Sequence, residues 1–99
     1  MIKHIVMFKI KASDDVEKET RVLKLKSMLD LLKSKIEEII YLETGINISK
    51  RNVAFDLILI THFANANDLQ TYINHPEHQE VIKYIDTVRE AAYVVDYEF

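Results

Sequence analysis

The sequence predicts an α+β fold, a four-stranded antiparallel sheet with helices on one face. Three observations predict it. Four stretches carry the apolar residues of strands, alternating or continuous. Between them, apolar residues recur at spacings of three and four, the signature of helices. The elements follow in the order β-α-β-β-α-β, the split βαβ arrangement of ferredoxin-like folds. The 99 residues form one domain over 1–99, because two domains of half that length would each lack an adequate core.

Residues 2–11 alternate, with Ile2, His4, Val6, Phe8 and Ile10 on one face and Lys3, Ile5, Met7, Lys9 and Lys11 on the other. Period two makes this a strand whose first face is core. Asp14 followed by Glu17 marks a helix start, since a carboxylate there accepts from first-turn amides. The helix is expected over residues 14–38, with Val22, Leu25, Leu29, Leu32, Ile36 and Ile39 continuing one apolar face and the lysines mostly in solvent. Residues 40–49 read as a second strand containing the only glycine, Gly45, which suggests a bulge or a close backbone approach.

Lys50-Arg51-Asn52 is a turn. Residues 54–63 form the third strand, with Phe55, Leu57, Leu59, Thr61 and Phe63 on one face and Asp56, Ile58, Ile60 and His62 on the other. Asn67 and Gln70 suggest an N-cap and its reciprocal partner. Leu69, Tyr72 and Ile73 face inward from the short helix they open. Pro76 suits the first position of a further helix, with His75 as its cap. That helix runs to about residue 90 with Val81, Ile82, Ile85 and Val88 inward. Residues 91–99 close the sheet.

The helices cover one sheet face only. The other is expected to carry Ile5, Met7, Ile58, Ile60 and Val94, a patch too apolar for water. Two sheets packed face to face about a two-fold axis would bury it, so a homodimer is expected. His62 falls on that face, where an interface role is expected of it.

Composition removes whole classes of function. One Gly and one Pro stand where average usage gives about 7 and 5. Gly-rich phosphate loops and dinucleotide folds are excluded with them. The absence of Cys removes disulfides, thiolate nucleophiles and Cys-based metal sites. Net charge is −3, with 10 basic and 8 acidic groups in residues 1–50 and 3 basic and 8 acidic in residues 51–99. That is no nucleic-acid footprint. No apolar run approaches the ~18–20 residues of a membrane span, and the N-terminus lacks a signal-peptide layout. The expected location is cytoplasmic, with no nucleic-acid or membrane partner.

The residues with chemistry are Tyr72, His75 and His78, together with His4. His78 precedes Val81, Ile82 and Ile85 at helical spacing and so points at the sheet. His4 shares a strand face with Val6 and Phe8 and points at the helices. Tyr72, His78 and His4 then converge between the layers. An imidazole suits proton transfer near neutrality, and a tyrosine hydroxyl can donate to a developing oxyanion. Together they suit enolate chemistry, either proton abstraction beside a carbonyl or an aldol-type closure. His75 and His78 lack a third metal ligand, so no metal is expected, and no cofactor.

At Lys3-His4-Ile5-Val6-Met7-Phe8-Lys9, at Tyr72-Ile73-Asn74-His75-Pro76-Glu77-His78 and at Val95-Asp96-Tyr97 the chain resembles the stress-responsive A/B barrel (Dabb) domain family. The resemblance spans essentially the whole chain, and Y-x-x-H-P-x-H is its most specific segment. It implies a dimeric α+β barrel. A plant polyketide cyclase of that family works by aldol condensation with a Tyr and a His as its acid/base pair. The resemblance places those roles at Tyr72 and His78, with His4 in support. A further cavity histidine of that cyclase falls at Leu57 here, which changes what the cavity can bind. Leu57, Phe8, Leu59 and His75 are the expected ligand contacts. Three functions follow as expectations: a cofactor-free cyclase, isomerase or lyase; a small-molecule-binding or stress-associated dimer without catalysis; and a cofactor-independent monooxygenase of similar fold.

Overall fold

A computed structural model describes all 99 residues. The elements are β1 (Ile2–Ile10), α1 (Asp15–Asp30), α2 (Leu32–Lys35), β2 (Tyr41–Ile46), β3 (Leu57–Phe63), α3 (Ala66–Asn74), α4 (Pro76–Val88) and β4 (Arg89–Glu98). The sheet is antiparallel in the order β2-β3-β1-β4, so the most apolar strands are central and β2 and β4 form the edges. The ferredoxin-like α+β expectation holds.

Asp14 caps α1 as its position predicts. Its carboxylate accepts the Glu17 amide at 2.7 Å, and Glu17 Oε1 in turn accepts the Ser13 amide at 3.1 Å. The expected helix over 14–38 does not run through. Such a helix would span about 37 Å, nearly the whole 39 Å length of the molecule. Instead α1 ends at Asp30 with Leu31 as its cap, a short α2 follows, and Ile36 is extended. Ile36 and Ile39 still reach the core, at 1% and 4% exposure. The apolar spacing was a record of burial, not of helix length. Leu25 and Leu29 fill the space between α1 and the sheet; truncating either to Ala would cost about 2–5 kcal/mol.

Several boundaries differ from expectation. The cap of α3 is Asn65, whose side chain accepts the Asp68 amide at 2.9 Å, and Asn67 lies inside the first turn. The Asn-x-x-polar pattern occurs twice in this stretch, and the chain uses the copy nearer the end of β3. Phe55 lies outside β3 and packs on Tyr93. β2 stops at Ile46, where Asn47 and Ser49 bond one another in a polar turn.

Gly45 makes no bulge. Register with Ile58 runs unbroken, and a Cβ at Gly45 would meet Ile58 Cγ2 at 3.2 Å, so the glycine serves close approach. The register shift lies instead at Lys9/Ile10 against β4. There the Asp56 carboxylate takes the Ile10 amide at 2.8 Å, and the Phe8 carbonyl accepts the Asp56 amide. These bonds serve the rim of the sheet in place of ladder bonds.

Val94 does not lie on the outer face of the sheet, where it was expected. It pairs with Val6, an inward residue, so it lies on the helix side of the sheet. The outer face of β4 carries Tyr93, Val95 and Tyr97 instead. Cross-strand pairs share a face, and the pairing with β1 therefore decides the side. β4 is exposed along most of its length, Ala91 and Ala92 being its half-buried residues. The helix layer consequently leaves a hollow open along this edge. No helix is long and apolar enough to cross a membrane.

Candidate functional site

The site is built by the break between α3 and α4. Pro76 has no N–H, so the Tyr72 carbonyl cannot be served at the usual helical spacing, and the His75 amide bonds it at 3.1 Å instead. The next amide, Glu77, donates to His75 Nδ1 at 3.1 Å. His75 is thus both the last residue of one helix and the cap of the next. That bond takes from the Ile73 carbonyl the amide a continuous helix would have offered. The freed carbonyl accepts His78 Nδ1–H at 2.9 Å and Gln79 Nε2–H at 2.7 Å. A proline and a capping histidine therefore orient the imidazole of His78.

The bond also sets the tautomer. A carbonyl only accepts, so Nδ1 of His78 carries the proton and Nε2 presents a lone pair. His4 likewise donates through Nδ1. Its Nδ1 bonds Asp96 Oδ1 at 2.5 Å across the β1–β4 pair, and the carboxylate is the acceptor. Neither Nε2 has a protein partner, and neither belongs to the buried unpartnered atoms. Both therefore open into the hollow.

Tyr72 lies between them. It is fully buried, with its ring centroid 4.4 Å from that of His78 and 5.9 Å from that of His4. Phe63 packs against both Tyr72 and His4. The Tyr72 hydroxyl is the one buried side-chain polar atom without a hydrogen-bond partner. A buried hydroxyl left unpaired costs stability, and a water or a ligand that reaches it supplies the missing partner.

Burial holds the Tyr72 hydroxyl well above the ordinary phenol range. It therefore stays protonated and acts as a donor. His78 is shifted the other way. Burial lowers it most, the His4 and His75 rings lower it further, and the Ile73 carbonyl opposes them. At neutral pH it is a free base. Environments that push an acid up and a base down on neighbouring side chains divide the proton-transfer roles between them.

The hollow has a volume of about 340 Å³ and touches His4, Tyr72 and His78 together. Phe8, Leu59, Ile85 and Val94 supply apolar wall. Of the expected ligand contacts, Phe8 and Leu59 line it. Leu57 and His75 do not. Leu57 sits one pleat beyond Leu59, opposite Phe8, and borders a different hollow on the sheet. His75 is committed to the helix cap. Sequence reasoning left out Asp96, Asp86 and Arg89, which also border the hollow. Asp96 lies on the inner face of β4 at the level of His4, a placement that only the β1–β4 register decides.

The model of a family described as the stress responsive A/B barrel domain matches residues 2–99. An uncharacterized protein of Streptomyces coelicolor is 35% identical over 102 residues, covering 100% of both chains. A dimeric protein of unknown function and ferredoxin-like fold from Bacteroides fragilis superposes with a TM-score of 0.89 at 33% identity, over 99% of this chain and 95% of that one. A hydroxynitrile lyase from Passiflora edulis superposes with a TM-score of 0.82 at 17% identity, over 97% and 90%. The last likeness concerns fold alone.

Proposed function

The chain belongs to the stress-responsive A/B barrel domain family, and from that premise we propose that it is a homodimer catalysing cofactor-free proton transfer beside a carbonyl group. The reaction class is that of an aldol-type cyclase, an isomerase or a lyase. One observation carries the reading: an unpartnered buried Tyr72 hydroxyl beside a His78 imidazole whose Nε2 is free.

The substrate carbonyl oxygen takes the Tyr72 O–H. His78 Nε2 removes the proton from the adjacent carbon. The C–H electron pair moves into the carbon–carbon bond, and the carbonyl pair moves to oxygen. The enolate oxygen is held by the Tyr72 hydroxyl, which keeps its proton, while His78 carries the extra proton as imidazolium. The enolate carbon then attacks a second carbonyl, whose π pair moves to its own oxygen and takes the proton back from His78, or the enolate carbon is itself reprotonated by His78. His4, steadied by Asp96, offers its Nε2 as a second hydrogen-bonding position for a substrate hydroxyl. The hydroxynitrile lyase among the similar structures supports lyase chemistry on this fold by analogy.

The dimer reading rests on the outer sheet face. Its rows are Tyr41–His62–Lys3–Tyr97, then Glu43–Ile60–Ile5–Val95, then Gly45–Ile58–Met7–Tyr93. Met7, Tyr93, Val95 and Tyr97 are exposed large hydrophobics. The apolar patch at the centre of this face, formed by Ile60, Ile5, Val95, Ile58, Met7 and Tyr93, is of the kind that is covered in stable proteins. The solved relative at 33% identity is described as dimeric.

The test is deuterium loss from the carbons flanking the carbonyl of labelled 2-octanone, followed by NMR in water. Wild-type protein is expected to accelerate the loss. His78→Gln is expected to slow it by ~10²–10⁴-fold with an unchanged circular dichroism spectrum. Equal rates in the two proteins would overturn the acid/base role and leave a binding function.

A further inference from the structure

The hollow is elongated, and its two ends differ in chemistry. α4 presents one stripe to it: His78, Ile82, Ile85 and Asp86, with Arg89 at the helix end. Eleven residues separate His78 from Arg89, about 16 Å along a helix. β4 repeats the polarity. Asp96 pairs with His4, Val94 with Val6, Ala92 with Phe8 and Arg89 with Ile10. One end therefore holds Tyr72, His78 and the His4–Asp96 pair. The middle is apolar on both walls. The far end holds Arg89 and Asp86.

Arg89 is the only Lys or Arg among the lining residues. Its Nε meets Asp86 Oδ1 at 3.5 Å, a loose, half-exposed contact. Its two terminal nitrogens have no partner. A guanidinium held through Nε keeps the fork that reads a carboxylate in two parallel bonds. At the other end the Asp96 carboxylate repels an anion. An anionic ligand end is thus drawn to the Arg89 end, where the Asp86 carboxylate offsets part of the attraction.

We infer that the site takes a two-ended substrate, with a carbonyl at the Tyr72–His78 end, an apolar chain through the middle and a carboxylate bound by Arg89. This rests on the acid/base reading for the carbonyl end and on the cavity geometry alone for the carboxylate end. An extended chain gains about 1.2 Å per bond, so a body of about eight to ten heavy atoms bridges the two ends once the side chains reach in.

The probes are octanoate and octanamide, which match in shape and differ in charge. Their binding is measured by titration calorimetry, with no turnover required. Wild-type protein is expected to bind octanoate about tenfold more tightly. Arg89→Gln is expected to bring the two within twofold, and Asp86→Asn to widen the gap. Arg89 is half-exposed, and the circular dichroism spectrum of each variant checks its fold. Equal binding of the two probes by wild type, a preference that survives Arg89→Gln, or no binding of either up to its solubility each overturns the inference. A charge preference without deuterium exchange on 2-octanone supports the carboxylate end of the inference and removes the acid/base reading with its carbonyl end; exchange without a preference does the reverse.

Discussion

His4 and Asp96 lie 92 residues apart in sequence and 2.5 Å apart in space, joined by a hydrogen bond from Nδ1 to Oδ1 between the first and last strands. The bond ties the β4 edge to the centre of the sheet and holds Nε2 of His4 toward the hollow. Asp96→Ala is expected to leave the buried imidazole without its acceptor and to cost about 1–3 kcal/mol. Asp96→Asn keeps an oxygen acceptor and recovers most of that loss. Nitrogen NMR of His4 is expected to show proton on Nδ1 in wild type and a tautomer mixture in Asp96→Ala. An unchanged tautomer would remove the orienting role.

Tyr72 gives opposite signs for stability and function. Its hydroxyl is buried and unpartnered, so Tyr72→Phe removes a desolvated dipole and keeps the ring packing with Phe63, His4 and His78. Thermal denaturation is expected to show a gain of about 1 kcal/mol. Deuterium exchange is expected to fall by ~10²–10³-fold, the usual loss for one oxyanion donor. A destabilised variant would mean that the hydroxyl has a partner in solution.

His78 governs a pH window. Its folded value lies below the ordinary 6.5, mainly through burial. The unfolded chain therefore binds more protons in that window, and stability falls as pH drops from the unfolded value through the folded one. The acid limb of the exchange rate is expected at the same depressed value, below pH 6.5. His62 is also lowered, by burial and by Lys3, and contributes in the same direction. The comparison is therefore wild type against His78→Gln, in denaturation at a series of pH values. The variant is expected to show the shallower slope.

Ile60 and Ile5 pair at the middle of the outer sheet face. Ile60→Lys places a charge there while leaving the helix side untouched. Sedimentation of the wild type at micromolar concentration is expected to give twice the 11.6 kDa chain mass, and the variant one chain mass with native circular dichroism. A wild-type species at 11.6 kDa alone would sink the dimer.

Much of this was legible locally. Period two placed β1 and its inward His4. Spacings of three and four placed the buried face of α1, and Pro76 marked the helix break. Tyr72 and His78 followed from the same arithmetic. The failures share a cause. Ile36 and Ile39 extended an apolar rhythm beyond the helix, because burial continues through a turn that periodicity does not register. Asn65 and Asn67 offered equivalent caps, and the end of β3 chose between them. Val94 went to the wrong face because alternation identifies two faces without saying which is inside.

The chain alone determined what each residue can do: which faces are apolar, where a helix must break, which side chains can carry a proton. Tertiary structure decided what those residues meet. The strand pairing set Asp96 against His4, turned Val94 into the hollow and brought Arg89 to its far end. The helix break gave the Ile73 carbonyl to His78. Such contacts depend on register and on which carbonyl loses its amide. These are long-range choices, settled by the whole sheet and not by any local stretch of sequence.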